Sequence, residues 1–423
     1  MIESYLDPEE IHHKEKDHGE RYERIKHMAE TGETPFPKYG SHPWSSRKGY
    51  PGLDDIQIMP RLFGGHDKRV ELGRDPIYTD VDTATEIGGL TSYMPATVCA
   101  LGSTKVANGV ADQIVVAAAR QGVPYVIGEN VMVTHGEDRL KELIDLYHAN
   151  QMTGYGGILV EGNENEIALG IFDKAAAYGA DGIEIKLGQG AKPGLGGIVR
   201  LTEVAEAERY RKLGYHVEDM GDGTWIRHSA AGAPSVEGLI DQVKVLKETY
   251  DIPVWAKLGG FTDVHEIVYA LAEAGVDNIT VDGSEGGTGM APTDVMNEVG
   301  LPTLALLRKT RSELDAYAEE FPDAEDDLPT LIIAGGIYKG SQVVKSLALG
   351  ADAAGMGRPW INAARFNGEE GVENYGGALL QEIQMSTLTT KRYDTADLDR
   401  SDVRALTVET SRVADLPLIG EDE

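Results

Sequence analysis

Three features predict an α/β fold built on a closed (β/α)8 TIM barrel. Eight short, β-branched apolar runs recur along the chain. Amphipathic, Ala-rich stretches fill the gaps between them. No G-x-G-x-x-G marks the first strand–helix turn, which argues against the alternative, an open doubly wound sheet. The runs lie near Ala96–Leu101, Pro124–Ile127, Gly157–Val160, Gly182–Leu187, Pro253–Leu258, Asn278–Val281, Thr330–Ala334 and Ala353–Met356. They are apolar almost without alternation, as strands buried on both faces of a parallel sheet must be. Helical periodicity appears at Ala111–Gln121, Lys141–Asn150, Glu166–Tyr178, Val236–Tyr250, Val264–Ala274 and Ser341–Leu349.

Three regions depart from this rhythm. Residues 1–75 are polar and rich in His, Lys, Glu, Pro and Gly, and read as an extension wrapping the core, with a helix only near Pro8–Glu30. Residues 188–234 read as a long loop after the fourth strand, and 318–329 as an acidic loop before the seventh. From Phe366 the strand–helix alternation stops. The expected organisation is therefore an extension (1–75), a barrel (76–365) and a C-terminal cap (366–423).

Composition narrows the function classes. The 423 residues carry 39 Lys+Arg against 70 Asp+Glu, a formal net charge of -31. A chain this acidic repels phosphate backbones, so nucleic acid is not an expected partner. Self-repulsion of this size is screened by high salt, which suggests a halophilic setting. The longest apolar runs, such as Ile114–Ala119, fall far short of the ~20 residues of a bilayer span, so no membrane association is expected. The start, Met1-Ile-Glu-Ser, is acidic and lacks a signal-peptide core, so the expected location is cytoplasmic. Cys99 is the single cysteine and cannot form an internal disulfide. It excludes a Cys-ligated zinc or iron–sulfur cluster from this chain's residues alone, and no metal site is expected.

The chemistry concentrates at strand ends, where barrel sites form. The fourth strand runs into Lys186-Leu-Gly-Gln-Gly-Ala-Lys-Pro-Gly-Leu-Gly-Gly197. Glycines let the backbone approach a ligand, and Lys186, Gln189 and Lys192 suit an anionic one. A flexible loop with solvated lysines is the plainer alternative, but a lysine inside an apolar strand is costly unless used. After the sixth strand comes Thr280-Val-Asp-Gly-Ser-Glu-Gly-Gly-Thr-Gly289, a possible anion nest. After the seventh and eighth come Ile333-Ala-Gly-Gly-Ile-Tyr-Lys-Gly340 and Gly350-Ala-Asp-Ala-Ala-Gly-Met-Gly-Arg358. Each is a glycine-ended strand leading to a helix, the usual phosphate site of barrels, and Arg358 can add a bidentate contact. Lys257 ends the fifth strand, as a charge at the mouth or as half of a rim salt bridge. Ala100-Leu-Gly-Ser-Thr104 and Ile127-Gly-Glu-Asn130 put Gly102, Ser103 and Glu129 at the first two strand ends. Glu129 is a candidate proton acceptor or amine-binding group, while Ser103 and Asn130 could equally be helix caps.

Taken in order, Ile185-Lys-Leu-Gly-Gln-Gly-Ala-Lys-Pro-Gly-x-Gly-Gly, Val281-Asp-Gly-Ser-Glu-Gly-Gly-Thr-Gly-Met-Ala-Pro, Ala334-Gly-Gly and Gly350-Ala-Asp-x-x-x-Met-Gly-Arg resemble the FMN-binding synthase domain of glutamate synthase over residues 80–410. The resemblance implies a (β/α)8 barrel that binds FMN and 2-oxoglutarate, condenses the keto acid with ammonia and reduces the 2-iminoglutarate with hydride from the flavin. Carried over by motif, it places Gln189 and Lys192 on the keto acid and Lys186 and Lys257 beside the flavin ring. Gly286, Gly287, Thr288, Gly335, Gly336, Gly357 and Arg358 would lie on the ribityl and phosphate groups, and Glu129 at the ammonia entry. A substrate-carboxylate arginine would be Arg209 or Arg211, with Arg211 preferred. The sequence departs from the family in several places. The iron–sulfur cysteines and the N-terminal catalytic cysteine are absent, Ile198 stands where a glutamine is expected, and the His-x-Asp stretch reads His228-Ser-Ala-Ala-Gly-Ala-Pro-Ser. The expected activity is imine reduction, with nitrogen and electrons delivered by separate glutaminase-like and electron-donor subunits and a homo-oligomer possible. The alternatives are an N-methylglutamate-synthase-like subunit using methylamine, a different FMN-barrel chemistry such as isopentenyl diphosphate isomerisation, and a non-catalytic FMN- or phosphate-binding scaffold.

Overall fold

The computed structural model of the chain describes residues 18–32, 50–102, 104–190, 193–229, 235–286 and 299–421. Eight parallel strands close a barrel in chain order: β1 (Ala96–Leu101), β2 (Tyr125–Ile127), β3 (Ile158–Gly162), β4 (Gly182–Lys186), β5 (Val254–Gly259), β6 (Asn278–Asp282), β7 (Thr330–Ala334) and β8 (Ala353–Met356). Each is followed by a helix: α1 (Lys105–Arg120), α2 (Glu137–Asn150), α3 (Ile171–Ala177), α4 (Val236–Thr249), α5 (Val264–Glu273), α6 (Thr303–Glu320), α7 (Gly340–Ala348) and α8 (Arg358–Thr389). This is the expected fold, with strand ends within two residues of the sequence reading.

Local chemistry sets the helix ends. α1 buries Ala111, Ile114, Val115, Ala117 and Ala118 on the sheet, and the Thr104 hydroxyl accepts from the Ala107 N–H at 3.2 Å as its N-cap, worth about 1 kcal/mol. The stretch expected as one helix over Glu166–Tyr178 is two pieces, Glu164–Ile167 and α3. Gly170, with φ 75°, turns the chain between them, a conformation open to glycine at little cost.

Two loops expected from composition are folded. Residues 188–234 contain an antiparallel sheet in the order Ile198–Leu201, Trp225–His228, His216–Asp219, together with the helix Val204–Lys212. Its strands are four residues long, and the turn between the last two in sequence has Gly221 and Gly223 at φ 73° and 82°, so the local signal reads as loop. In the acidic stretch, α6 continues to Glu320 and a 3-10 helix follows at Pro322–Asp327.

The chain's two ends close the outside together. The helix His18–Thr31 buries Ile25, Met28 and Ala29, and Tyr22 meets Phe366 of α8 edge-on at 4.7 Å. Strand Ile56–Ile58 pairs antiparallel with Val403–Ala405. α8 is broken at Asn367–Gly368, where the backbone is non-helical and Gly368 takes φ 62°, so it consists of two helices that meet just after Phe366.

Inside the barrel, Val126, Leu159, Trp255, Ile332 and Ala353 form an apolar layer. The hairpin Thr85–Ile87/Leu90–Ser92 plugs it with Ile87, and Gly88 accepts from Trp255 Nε1 at 2.8 Å. Strand side chains alternate, so the residues two further on point the same way. After Leu159 comes Glu161, and after Trp255 comes Lys257. The upper barrel is therefore charged, with Glu161, Glu184, Lys257 and Asp282 all buried.

Candidate functional site

Parallel register sets the site. Lys186 on β4 lies beside Lys257 on β5, and Glu161 on β3 beside Glu184 on β4. Two ammonium groups on neighbouring strands repel unless an anion reaches them. Glu161 does so: its Oε1 is 3.0 Å from Lys186 Nζ and its Oε2 is 3.8 Å from Lys257 Nζ. Glu129, at the end of β2, adds a second carboxylate 3.4 Å from Lys186. Burial alone would lower both lysine pKa values. Glu129 and Glu161 around Lys186, and Glu161 with Asp282 and Glu184 around Lys257, more than offset it, so both are raised and both side chains are cations. Burial pushes the Cys99 thiol up to about 12, which keeps it neutral.

Beside this cluster is a small, partly open pocket lined by Glu129, Asn130, Asn163, Lys186, Gln189 and Ser229 along with Gly188, Gly196 and Gly197. Among the described residues, Asn163 Nδ2 and Ser229 Oγ are buried and have no hydrogen-bond partner. Unpaired polar atoms on residues that line a pocket suit a small polar ligand. Asn130 shapes one wall. It adopts φ 67°, and its N–H points at both oxygens of buried Glu166, at 2.9 and 3.0 Å. Burial pushes Glu166 up to about 8, helped by the like charges of Glu129 and Glu161.

The other end of the site follows β7 and β8. Gly335 and Gly336 turn the chain at φ 111° and 75°. A Cβ on Gly335 would meet Thr303 Oγ1 at 2.6 Å and Gly283 N at 2.8 Å, so no side chain fits there. The two helix starts nearby differ. The Gly340 N–H of α7 donates to the buried Glu382 carboxylate at 2.8 Å, so an anion of the chain's own already occupies that end. α8 begins at Arg358 with no side-chain cap, and Arg358 Nη2 donates to the Gly286 carbonyl at 2.8 Å. Uncapped N–H groups next to a guanidinium suit a phosphate.

Of the residues singled out from the sequence, Lys186, Glu129 and Gln189 line the pocket, and Lys257 lies beside Lys186 on the next strand, against Glu161. Gly102 (φ 121°), Gly286, Gly335, Gly336, Gly357 and Arg358 lie at strand ends or the turn after β6. Ser103, Lys192, Gly287 and Thr288 lie outside the described residues. Arg211 does not line this pocket. The helix Val204–Lys212 turns Ala207 and Tyr210 inward, which leaves Arg211 exposed, donating to the Val217 carbonyl at 3.3 Å. Arg209 lies over the Tyr210 ring. Arg227 of the same insertion is buried, stacked between the Tyr210 and Tyr215 rings at 4.6 and 5.1 Å. Asn130 does not cap its helix through its side chain.

Sequence reasoning missed Glu161, Glu166, Asn163 and Ser229. Glu161 carried a readable signal: a carboxylate inside the apolar run Ile-Leu-Val-Glu-Gly. Among the described residues, no group of three or more His, Cys, Asp or Glu could hold a metal, and no helix is long and apolar enough to cross a membrane.

Comparison with known proteins adds the following. Residues 148–364, just over half of the chain, match the conserved region in glutamate synthase. The archaeal-type glutamate synthase (NADPH) of Thermotoga neapolitana is 30% identical over 249 residues, 53% of this chain and 46% of that one. Its counterpart in Thermotoga maritima is 28% identical over 307 residues, 67% and 55% of the two chains. These matches span about half the length of the curated relatives. Among solved structures, a flavocytochrome b2 variant with sulfite bound superposes over 100% of this chain and 92% of its own, with a TM-score of 0.60 at 18% identity, a likeness of fold.

Proposed function

Since the chain belongs to the glutamate synthase family, we propose that it is an FMN-dependent oxidoreductase that reduces an imine of a keto acid such as 2-oxoglutarate to an amino acid such as glutamate. One observation carries this reading. Two lysines held as cations sit at the barrel mouth beside a pocket with unpaired polar atoms, in the same barrel as an uncapped helix start with its own arginine.

The residues fit the flavin. The side-chain-free turn at Gly335, the uncapped start of α8 and Arg358 form a cradle for its phosphate. FMN would supply the hydride. As cations in a low-dielectric site, Lys257 and Lys186 would stabilise negative charge on a bound flavin. Gln189, Asn163 and Ser229 offer hydrogen bonds that orient the substrate in the pocket. Glu129 is the mouth carboxylate positioned to take or give the proton that accompanies amine addition. With one cysteine, these residues cannot ligate an iron–sulfur cluster unaided.

The test is direct. Purified protein releases FMN, and not FAD, on denaturation. Reduced with dithionite, it is reoxidised by 2-oxoglutarate plus ammonium under anaerobic conditions. Faster reoxidation with methylamine than with ammonium moves the assignment to an N-methylglutamate-type reaction. Failure of both amines leaves only the flavin barrel, and failure to take up FMN in high salt removes the reading altogether.

A further inference from the structure

Glu161 takes no part in the reaction outlined above, yet it is the most interconnected charge in the barrel. Its side chain is fully buried. Oε1 accepts from Lys186 Nζ at 3.0 Å and from the Glu129 N–H at 3.4 Å. Oε2 has no hydrogen bond and faces Lys257 Nζ at 3.8 Å. Both lysines leave adjacent strands at the same register level, so without an anion between them they would be two buried like charges side by side. Such a pair relieves itself by losing a proton. We propose that Glu161 is a positioning residue: it keeps Lys186 and Lys257 both protonated and fixes where their ammonium groups stand at the mouth of the barrel. That this arrangement serves a flavin rests on the reading in the previous section; the charge arrangement itself does not.

The other groups facing the trio do not substitute for it. Glu129 contacts Lys186 and not Lys257. Glu184 is engaged by Thr280 through Oε1 at 3.0 Å, and Asp282 by the Gly190 N–H at 3.0 Å. Cys99 is held neutral by burial, and Glu166 is turned to the Asn130 N–H. Removing the Glu161 charge at constant shape therefore takes from Lys257 its ion-pair partner at 3.8 Å and leaves it only the more distant carboxylates of Glu184 and Asp282.

The test compares wild type with Glu161→Gln by urea unfolding in high salt between pH 8.5 and 10, above the titration of Glu166. In wild type the folded lysines stay protonated across this window, so they add no rise in stability with pH. In the variant the folded state sheds a lysine proton that the unfolded state largely keeps, so its stability rises with pH. The ratio of the two unfolding constants should shrink about threefold across the window for one pKa unit of lysine depression, and further for a larger one. A ratio that stays constant overturns the proposal, because lost packing has no pH dependence. The double variant Glu161→Gln/Lys257→Met, which removes both charges, should be more stable than the single variant, and should fold if the single one does not. A double variant no better than the single one also overturns it. In FMN-loaded protein, Glu161→Gln should give the flavin midpoint potential a break between pH 8 and 10 that wild type lacks. If the stability result holds and the potential shows no break, Glu161 keeps its role and the flavin reading fails instead.

Discussion

Glu166 offers a quantitative check on the pocket wall. Its carboxyl is buried, and its folded pKa stands at about 8 against 4.5 when free, chiefly through desolvation. Between these values the folded state holds a proton that the unfolded state has released. Stability therefore falls as pH rises from 4.5 to 8 and levels off above it. At 1.36 kcal/mol per unit, the full shift costs roughly 5 kcal/mol, of which about 2 kcal/mol is lost below pH 6 and about 2 kcal/mol more between pH 6 and 8. Glu166→Gln keeps an oxygen for the Asn130 N–H and removes the ionisation. It also leaves a buried amide N–H pair without the partners a carboxylate does not need, a fixed cost of about 1 kcal/mol. The variant should thus be more stable than wild type by about 1 kcal/mol at pH 6 and by about 3 kcal/mol at pH 8. Urea unfolding in molar KCl at half-unit pH steps measures the gap. A gap that does not move toward the variant between pH 6 and 8 would show that Glu166 is ionised in the folded protein. That would refute the argument that burial decides its state.

Four other outcomes follow from the same physics. Arg358→Ala should weaken FMN by about 2–3 kcal/mol, one charge-assisted contact, read by titrating apoprotein, and an unchanged dissociation constant would place the arginine outside the phosphate cradle. Gly335→Ala should abolish FMN uptake or folding because its Cβ would sit 2.6 Å from Thr303 Oγ1 at φ 111°, whereas at Gly357 the nearest atom is a Leu101 methyl at 3.2 Å and the alanine should be tolerated far better. Lys257→Met should move the flavin midpoint potential downward, since a nearby cation favours the more negative reduced form. The net charge of -31 should make the melting temperature drop as KCl is reduced from molar to ~0.1 M, over which the Debye length grows from ~3 to ~10 Å; a flat curve would count against salt adaptation.

The barrel was legible because its strands advertise themselves twice, by apolar continuity and by glycines at their ends. Ala353–Met356 is four residues long and still identifiable, since Gly350 precedes it and Gly357 follows. The insertion after β4 was not legible. Trp225–His228 alternates burial only weakly, and the sheet's stability comes from contacts distant in sequence: Tyr210 and Tyr215 enclosing Arg227. No window of sequence contains that stack, and Arg209 and Arg211, two residues apart, could not be told apart by their neighbours in sequence.

The site itself divides along the same line. Residues that announce themselves through neighbours in sequence, such as Lys186 in its glycine loop or Arg358 after a glycine, were found. Glu161 was not, because its meaning depends on strand register. A carboxylate in the run Ile-Leu-Val-Glu-Gly could point outward to a helix or inward to the barrel, and a shift of one residue exchanges the two. The structure resolves this by pairing Glu161 with Glu184 on β4 and Lys186 with Lys257 on β4 and β5. Once the register is fixed, the interior lysines require an anion between them, and β3 is the strand that supplies it. The apolar layer around Trp255 then gains a consequence. By sealing the barrel below the charged level, it keeps water from reaching Glu161 from that side, so the interactions of Glu161 with the lysines act at low dielectric. A polar substitution in the seal, Leu159→Asn for example, should therefore lower stability and also weaken the coupling between Glu161 and Lys257 measured by a double-mutant cycle, whereas Leu159→Met should leave that coupling intact.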